Sequence, residues 1–385
     1  VLQLAAVIGR SFYQRVLAQL SSELPMGNGQ IDSHLRQLLR LQIIQEATRV
    51  PEMEYIFRNP LTHEVVYNGI LHKRLREFHD RVGQAMEALF AEQLAELSPR
   101  LAYHFHEARR PEKALRYSLM AGDQARHLYA HREALIHYDR ALALASQVQM
   151  DSADLTRLYL HRGRVLEHSG RFVEALADYE TLGSLGREQD DKHMQLKSLV
   201  ARGTIRSTMT AVQDNDLAQA LAHEGLALAQ ELGDVEAEST IHWNLMLLAR
   251  TRAEAGDTQL AIEHGERSLA LARTANQPAQ VAITLNDLAR AYRHISQHDR
   301  ADEITREARV LLKKTGNLPI LADSYAQSAF WSWTTGRLEE ASAAALESQR
   351  ISEEIGNLWN RGFAATVLGQ VKTTQGHLGD AMAVL

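Results

Sequence analysis

Residues 55–71, YIFRNPLTHEVVYNGIL, contain the residue types of a zinc protease helix. In that motif two histidines four residues apart on one helix face bind the metal, and the glutamate after the first acts as the base. Here His63 and Glu64 are present, but Tyr67 stands where the second histidine would be. A metal ligand is missing, so we expect His63 and Glu64 to be surface residues early in a helix.

Histidine is abundant in the rest of the chain, with eighteen in total. The pairs His104 with His106 and His127 with His131 suggest a metal hypothesis, because imidazoles on one helix face can share an ion. The chain has no cysteine, and no matching carboxylate cluster lies nearby in the sequence. We therefore predict no metal site and interpret these side chains as surface or groove histidines.

Other catalytic motifs are absent from the sequence. No GxxxxGK[ST] loop occurs, and the segment MGNGQ around Gly27 and Gly29 has neither the lysine nor a preceding strand. No GxSxG elbow or pair of cyclase carboxylates is evident. We expect no catalytic residue and no cofactor in this chain, so any enzymatic activity would belong to another part of a longer protein.

The composition indicates a folded chain that does not need a membrane. Hydrophobic residues make up 45% of the 385 residues and charged residues 23%, which is typical of globular proteins. The formal net charge of −6 does not favour general nucleic-acid binding. No apolar run reaches the roughly 18 residues that a membrane span requires. We expect a cytoplasmic protein without disulfides.

Small residues recur at a period of 40 in the second half of the chain, which also has few prolines and long stretches of helical apolar spacing. One series consists of Ala261, Ala301, Ala341 and Ala381, and a second of Ala249, Ala289, Ala329 and Gly369. A third series lies between them, where a short turn would fall, and consists of Gly256, Ser296, Gly336 and Gly376. Small residues are needed where two helices cross closely, so the series predict one helix pair per repeat.

This pattern resembles the tetratricopeptide repeat, in which a leucine precedes the first small residue. Leu248, Leu288 and Leu368 occupy that place, and Ser268 and Ala308 match the last small position. The family period is 34 residues, so a period of 40 implies longer helices or turns. The resemblance implies an all-α fold, a TPR-like α-solenoid.

The first part of the chain has a different pattern. After an apolar opening helix, SFYQRVLAQL and IDSHLRQLLRL predict two more helices, and the alternating segments LQIIQEAT and MEYIFRN predict a β-hairpin. Three helices and a hairpin are the outline of a winged helix. Ser98 followed by Pro99 is typical of a helix start. We therefore predict a winged-helix-like domain with its following helices over residues 1–97 and a solenoid of about seven repeats over residues 98–385. Because the helical pattern is still running at the last residue, we expect a piece of a longer polypeptide.

The segments LAAVIGRSF, YIFRNPLTHEVVYNGILHKRLREFHDRVGQAMEALF, LAYHFHEA and AHREALIHYDRAL resemble the region that follows the P-loop module in large bacterial signalling ATPases of the STAND type. These proteins often carry a class III adenylate or guanylate cyclase. The resemblance implies that the winged helix docks on a P-loop module that binds ATP or ADP. It also implies a nucleotide-sensing position at the start of the helix after the wing.

Asn59 occupies that sensor position, where the family has histidine. An amide can donate a hydrogen bond to a phosphate, but it lacks the positive charge of imidazole. The alternative is that Asn59 is an N-cap and Pro60 the first helical residue, which explains both residues by local preference alone. Both interpretations remain open.

The first helix of each tetratricopeptide repeat lines a groove, and the resemblance places several side chains at its exposed positions. These peptide-groove candidates are Arg250, Asn286, Arg290, Arg293, Phe330 and Trp333. Guanidinium groups with aromatic rings would suit an acidic or carboxylate-ended peptide. The basic run at residues 72–76 and the helix IDSHLRQLLRL offer little for DNA, and a solvated helix face explains the run.

The predicted function is a non-catalytic regulatory segment of a larger signalling ATPase, in which the repeats bind a protein or peptide and the winged helix transmits the signal. Two alternatives remain. The chain would belong to an ATP-dependent transcription regulator if a DNA-binding domain followed it, or would be a passive scaffold if no P-loop module preceded it.

Overall fold

The computed structural model describes residues 1–22, 30–50, 52–251 and 255–384, and the segment around Gly27 and Gly29 lies largely outside these ranges. The described residues form twenty α-helices, one short 3-10 helix and one three-stranded sheet. The predicted all-α fold is therefore confirmed. The chain divides into two compact units, residues 1–169 and 170–385.

The first unit combines the small sheet with nine helices. The strands are β1 (Ser11–Tyr13), β2 (Ile44–Thr48) and β3 (Glu54–Phe57). The helices before and among the strands are α1 (Leu2–Ile8), α2 (Gln14–Ser22) and α3 (Gln30–Arg40). The later ones are α4 (Pro60–Asn68), α5 (His72–Leu89), α6 (Leu94–Glu107), α7 (Pro111–His127), α8 (His131–Ala145) and α9 (Ser152–His168), with the 3-10 helix Ala91–Gln93 between α5 and α6.

The predicted hairpin is confirmed, but the sheet contains a strand that the helical prediction missed. β2 and β3 pair antiparallel, and β3 also pairs with β1, so the strand order is β1-β3-β2. The prediction of a helix over all of SFYQRVLAQL was wrong at its start, because Phe12 is fully buried and packs 5.7 Å from Tyr55 and 5.9 Å from Phe57. The winged-helix assignment stays a prediction.

The predicted helix start at Ser98 and Pro99 was also wrong. α6 begins at Leu94, and Pro99 lies inside it. A proline there lacks the N–H that would bond the carbonyl four residues earlier, which is that of Ala95. The Ser98 hydroxyl donates to this same oxygen at 2.6 Å and so replaces the missing bond. The predicted domain boundary between residues 97 and 98 falls within α6 and stays a prediction.

The second unit consists of helices alone. Its helices are α10 (Phe172–Glu188), α11 (Lys192–Ser207), α12 (Asn215–Leu232), α13 (Val235–Thr251), α14 (Ala255–Thr274), α15 (Pro278–His294), α16 (His298–Thr315), α17 (Leu318–Thr334), α18 (Leu338–Ile355), α19 (Leu358–Thr374) and α20 (Leu378–Val384). From α11 onward they pair as first and second helices of successive hairpins. The members of the two helical small-residue series are all buried in these pairs.

The third series marks turns, as predicted, at three of its four positions. Ser296, Gly336 and Gly376 have φ values of 62°, 77° and 83° in the turns after α15, α17 and α19. This left-handed region is readily accessible to glycine and reverses the chain. Gly256 differs, because it lies in the first turn of α14.

The first helices form one continuous side of the second unit. From α11 to α19, each first helix contacts the first helix of the next pair, whereas the described parts of neighbouring second helices make fewer contacts with each other. This side therefore presents the aligned surfaces of α13, α15, α17 and α19.

Candidate functional site

The candidate site is the side formed by the first helices of the second unit, which we call the inner face. It carries two neighbouring groups of side chains. The arginine–aspartate network consists of Trp243, Arg250, Asn286, Asp287, Arg290, Asp323 and Gln327. The aromatic cluster consists of His294, Phe330, Trp331, Trp333, Trp359 and Phe363.

Asp287 is the centre of the network. Its side chain is only 8% exposed. It accepts hydrogen bonds from Trp243 Nε1 at 2.9 Å and from Arg250 Nη1 at 3.5 Å, both on α13, and from Arg290 one turn later on its own helix. A buried carboxylate requires such donors, because an unpaired charge is costly away from water. Asp287 thus joins α13 to α15.

Asp323 joins α15 to α17 in a similar way. It accepts hydrogen bonds from Asn286 Nδ2 at 2.9 Å, from Arg290 Nη2 at 3.2 Å and from Gln327 Nε2 at 3.4 Å. Arg290 therefore bridges both carboxylates. The network contains two guanidinium groups and two carboxylates, so its formal charge is zero.

The two arginines of the network are paired unequally. Burial lowers the pKa of Arg290, but Asp287 and Asp323 outweigh this and raise it overall. Burial, together with the nearby positive charge of Arg290, lowers the pKa of Arg250. Arg250 has a single hydrogen bond to the network, at 3.5 Å, and its side chain is 19% exposed. Arg250 is thus the guanidinium with the least compensated charge and with donors left for a ligand.

The aromatic cluster spans α15, α17 and α19. Phe330 lies 5.9 Å from both Trp331 and Trp333 and 6.2 Å from Phe363, measured between ring centroids. Trp359 stacks on Phe363 at 5.5 Å and is 62% exposed. These rings offer a broad apolar surface with one tryptophan largely in solvent. Exposed aromatic surface of this kind marks interaction sites.

The two groups lie within reach of one peptide. Asp323 and Phe330 are seven residues apart on α17, which is two turns along the same face and a rise of about 10 Å. The edge-to-face contact of Trp331 with His294 of α15, at 5.6 Å, continues the cluster toward the helix that carries Arg290. A short extended segment could therefore contact a guanidinium and an aromatic ring at once.

Five of the six groove candidates lie on this face, and the sixth, Arg293, does not. Two of the six are buried. Asn286 is only 5% exposed and is held by Asp323. Arg293 is 7% exposed and pairs at 2.8 Å with Asp302 on the second helix α16, so it serves its own helix pair. The expectation of exposure was wrong for these two, because a carboxylate within reach draws each polar group out of solvent.

Several site residues were missed by the sequence prediction. Asp287 and Trp359 are the most important, together with Trp243, Asp323, Trp331 and Phe363. Asp287 stands three residues before Arg290, which is a contact spacing on a helix and could have predicted that pair. Asp323 had a weaker local signal, since only Gln327, four residues later, is on its own helix and its partners Asn286 and Arg290 lie on α15.

The other predicted site, at Asn59, lies in the first unit. Its side chain accepts a hydrogen bond from the backbone N–H of Leu61 at 2.9 Å, and Pro60 begins α4. The N-cap interpretation is confirmed, while a nucleotide role stays a prediction. Glu64 is exposed as expected, but His63 is half-buried and its Nε2 contacts the carbonyl of Ala6 at 2.9 Å.

The described residues give no support for the metal hypotheses. His104 is buried and His106 exposed, so the two imidazoles do not share one environment. Among the described residues no group of three histidines, aspartates or glutamates is arranged to hold a metal ion. None of the described helices is long and apolar enough to cross a membrane.

Solved structures show what this chain resembles. The quorum sensor NprR from B. thuringiensis, in its apo form, is 11% identical with a TM-score of 0.52, over 95% of this chain and 97% of that one. The Rap conjugation gene regulator of the plasmid pLS20, in complex with the Phr* peptide, is 13% identical with a TM-score of 0.51, over 82% and 93% of the two chains. These similarities show the fold, a TPR-like helical solenoid.

A signal transduction ATPase with numerous domains from Pyrococcus horikoshii, which has a tetratricopeptide repeat sensor, is 15% identical with a TM-score of 0.46. The alignment covers 99% of this chain, which spans 62% of that protein. No protein-family model matches the sequence. No curated protein is significantly similar to it.

Proposed function

We propose that this chain is a regulatory binding segment that captures an acidic peptide or protein segment on the inner face of its second unit. The observation that carries the proposal is that Arg250, a buried guanidinium on α13 with one long hydrogen bond, shares the inner face with an aromatic cluster on α15, α17 and α19. A carboxylate of the ligand would bind Arg250, and an apolar side chain would pack on Phe363 and Trp359. The solved Rap regulator in complex with the Phr* peptide supports the choice of a peptide ligand.

The network would keep the face ready for this ligand. Because Asp287 and Asp323 tie three first helices together, their inner surfaces are held in register before binding. A pre-ordered face loses less conformational entropy when the ligand binds. A ligand carboxylate that draws Arg250 away from Asp287 would in turn loosen α13 from α15, which gives a route from binding to a change in the stack.

We further propose that the chain acts within a larger protein, downstream of a P-loop module that binds ATP or ADP, and that it has no catalytic activity of its own. The sequence resemblance of residues 1–146 to STAND signalling ATPases supports this. Ligand on the repeats would alter how the first unit docks on that module and so shift its open and closed populations. If the parent reading frame encodes a P-loop motif upstream, deleting residues 170–385 should change ATP hydrolysis; unchanged hydrolysis would contradict the coupling.

Peptide selection tests the binding site. A displayed library of random peptides is panned against the purified chain, and selected sequences are synthesised and measured by calorimetry. We expect them to contain an acidic residue or a free carboxyl terminus near an aromatic or aliphatic residue. Arg250→Gln should weaken their binding by at least about tenfold, which corresponds to about 1.4 kcal/mol.

Arg300→Gln is the matched control. Arg300 is exposed on the second helix α16 and pairs with Glu303 of the same helix. Its loss removes the same charge from the chain without touching the inner face, so binding should be unchanged. Equal affinities of the Arg250 and Arg300 variants, or selected peptides without any acidic group, would overturn the proposed site.

A further inference from the structure

A chain of hydrogen bonds around two buried imidazoles joins three helices of the first unit, α4, α5 and α6. Nδ1 of His79 on α5 lies 2.9 Å from Nδ1 of His104 on α6. Nε2 of His79 lies 2.9 Å from the hydroxyl of Tyr67 on α4, which in turn lies 3.3 Å from the hydroxyl of Tyr103. Both imidazoles are buried, with exposures of 0% and 1%.

The contact between the two Nδ1 atoms limits how the protons are placed. In a neutral pair one imidazole donates through Nδ1 and has no proton on Nε2, while the other accepts at Nδ1 and carries its proton on Nε2. The Nε2 of His79 therefore either accepts from the hydroxyl of Tyr67 or donates to it. Both imidazoles are neutral, in opposite tautomers.

Among the described residues, no carboxylate is hydrogen-bonded to these imidazoles to balance an added proton. α1 contributes no ionisable side chain, and α2 contributes only Arg15, which pairs with Glu52. α6 contributes Arg100, whose positive charge disfavours a positive charge on His104. It also contributes Glu107, whose negative charge raises the pKa of Tyr67. The acidic residue of the 3-10 helix is Glu92, which has an exposed side chain. Burial lowers the pKa of His79, and burial with the charges of His79 and Arg100 lowers that of His104.

A further proton breaks this arrangement on either ring. Added to the accepting Nδ1, it removes the acceptor of the bond between the two rings. Added to the Nε2 of the other ring, it leaves a buried positive charge without a partner, which is costly. In both cases the open state, in which the imidazole reaches water, becomes more favourable.

α4 is the helix that depends most on these bonds. It has no buried residue, and its apolar Leu61 and Val65 are 66% and 73% exposed. Tyr67 and His63 fasten it to α5 and to the carbonyl of Ala6 by hydrogen bonds instead of by burial. Little apolar area therefore holds α4 in place once the bond from Tyr67 is lost.

We propose that Tyr67, His79 and His104 form an acid-sensitive latch, and that protonation of the histidine pair releases α4 from the first unit. The latch does not require a ligand on the second unit, so it holds or fails independently of the proposed function. It acts below about pH 6.5, where an imidazole in water takes up its proton.

Two measurements on the whole chain test the latch. Long-range nitrogen NMR at pH 7.5 should show one imidazole of the pair protonated at Nδ1 and the other at Nε2. Hydrogen exchange of the α4 amides, corrected for intrinsic rates, should show protection falling at least about tenfold between pH 7.5 and 5.5. His79→Gln, which keeps a donor and an acceptor but cannot titrate near neutral pH, should reduce that fall, whereas His72→Gln at the exposed start of α5 should leave it unchanged.

The wild-type results decide the case if His79→Gln does not fold. Equal protection of α4 at the two pH values would overturn the latch. The same tautomer on both histidines would contradict the hydrogen bond between their Nδ1 atoms and would overturn the latch with it.

Discussion

The two units each contain a buried polar network that connects neighbouring helices, but the networks are built from different chemistry. In the second unit Asp287 and Asp323 are charged and are satisfied by arginine, amide and indole donors. In the first unit His79 and His104 are neutral and are satisfied by each other and by tyrosine. One network is a set of opposite charges and the other a set of aligned dipoles.

This difference teaches how each unit can be disturbed. Removing one charge from the second network leaves the opposite charge buried, so a single substitution is severe. Removing a hydroxyl from the first network costs only neutral hydrogen bonds, whereas a fall in pH places a positive charge where no opposite charge balances it. The charged network suits a surface that must stay rigid while it binds an ion, and the neutral one suits a switch.

The largest expected effect comes from Asp287→Ala. The substitution leaves Arg250 and Arg290 in the inner face without their shared carboxylate, and the cost should be about 3–5 kcal/mol of unfolding free energy. Urea denaturation followed by circular dichroism measures it. Glu303→Ala is the control, because Glu303 and its partner Arg300 are 60% and 45% exposed and the loss should be about 1 kcal/mol or less. Similar losses for the two variants would remove the contrast between the networks.

Acid should disturb the first unit more than the second. In the described residues, burial lowers the pKa of five histidines in the first unit, His79, His104, His131, His137 and His168. The second unit has two, His242 and His264.

Burial lowers the pKa of His168 to about 4, so the folded state binds this proton less tightly than the unfolded chain does. The stabilisation is full above pH 6.5 and is lost between pH 6.5 and about 4, by up to about 1.4 kcal/mol per pH unit for each such group. Hydrogen exchange resolved by peptide, at pH 7.5 and 5, should show earlier opening of residues 1–169. Simultaneous opening of both units would contradict this.

A glycine substitution should distinguish a rigid neighbour from a flexible one. A Cβ at Gly122 in the first unit would lie 2.6 Å from the ring of the fully buried Tyr138, which cannot move aside. A Cβ at Gly265 in the second unit would lie 2.7 Å from the end of Leu288 and 2.8 Å from the sulfur of Met246, both of which can rotate. Gly122→Ala should therefore cost about 1–3 kcal/mol and Gly265→Ala less.

Gly362→Ala provides the baseline for this pair. Gly362 lies inside α19 with open space around it, so alanine should be neutral or stabilise by up to about 1 kcal/mol. Thermal unfolding ranks the three variants. An equal loss at Gly122 and Gly265 would mean that side-chain flexibility does not decide the cost.

The smallest effect should come from Tyr67→Phe. The ring remains and only the hydroxyl between His79 and Tyr103 is lost, so the cost at pH 7.5 should be about 0.5–1.5 kcal/mol. Tyr103→Phe, which removes the outer hydroxyl on a side chain 40% exposed, should cost less. Denaturation of both variants at pH 7.5 measures the difference, and a loss comparable to that of Asp287→Ala would show that the neutral network is as critical as the charged one.

Features that depend on neighbours in the sequence could be predicted before the structure was known. The 40-residue series of small residues identified the helix pairs, and the alternating segments identified the hairpin. Asn59 with Pro60 correctly marked the start of α4. Each of these features follows from local backbone preference or from small residues that recur where two helices cross.

Features that depend on contacts across helices escaped prediction. β1 looks like the start of a helix until its pairing with β3 is known. The hydroxyl of Ser98 made an internal proline acceptable, which no rule of helix starts anticipates. The partners Asn286 and Arg290 of Asp323 lie on α15, and the partners of His79 lie on α4 and α6, so neither network is visible in a single stretch of sequence.

The positive-φ turns carry a consequence for the length of the stack. Gly336 and Gly376 follow their helices in open space, with nothing within 4 Å of a would-be Cβ, and they stand one repeat period apart. If the chain were cut at both glycines and the free ends were joined, α18 and α19 would be lost, which is one repeat. The remaining helices would still alternate as first and second helices. The reach of the binding surface would then be an adjustable quantity, set by how many hairpins a gene encodes.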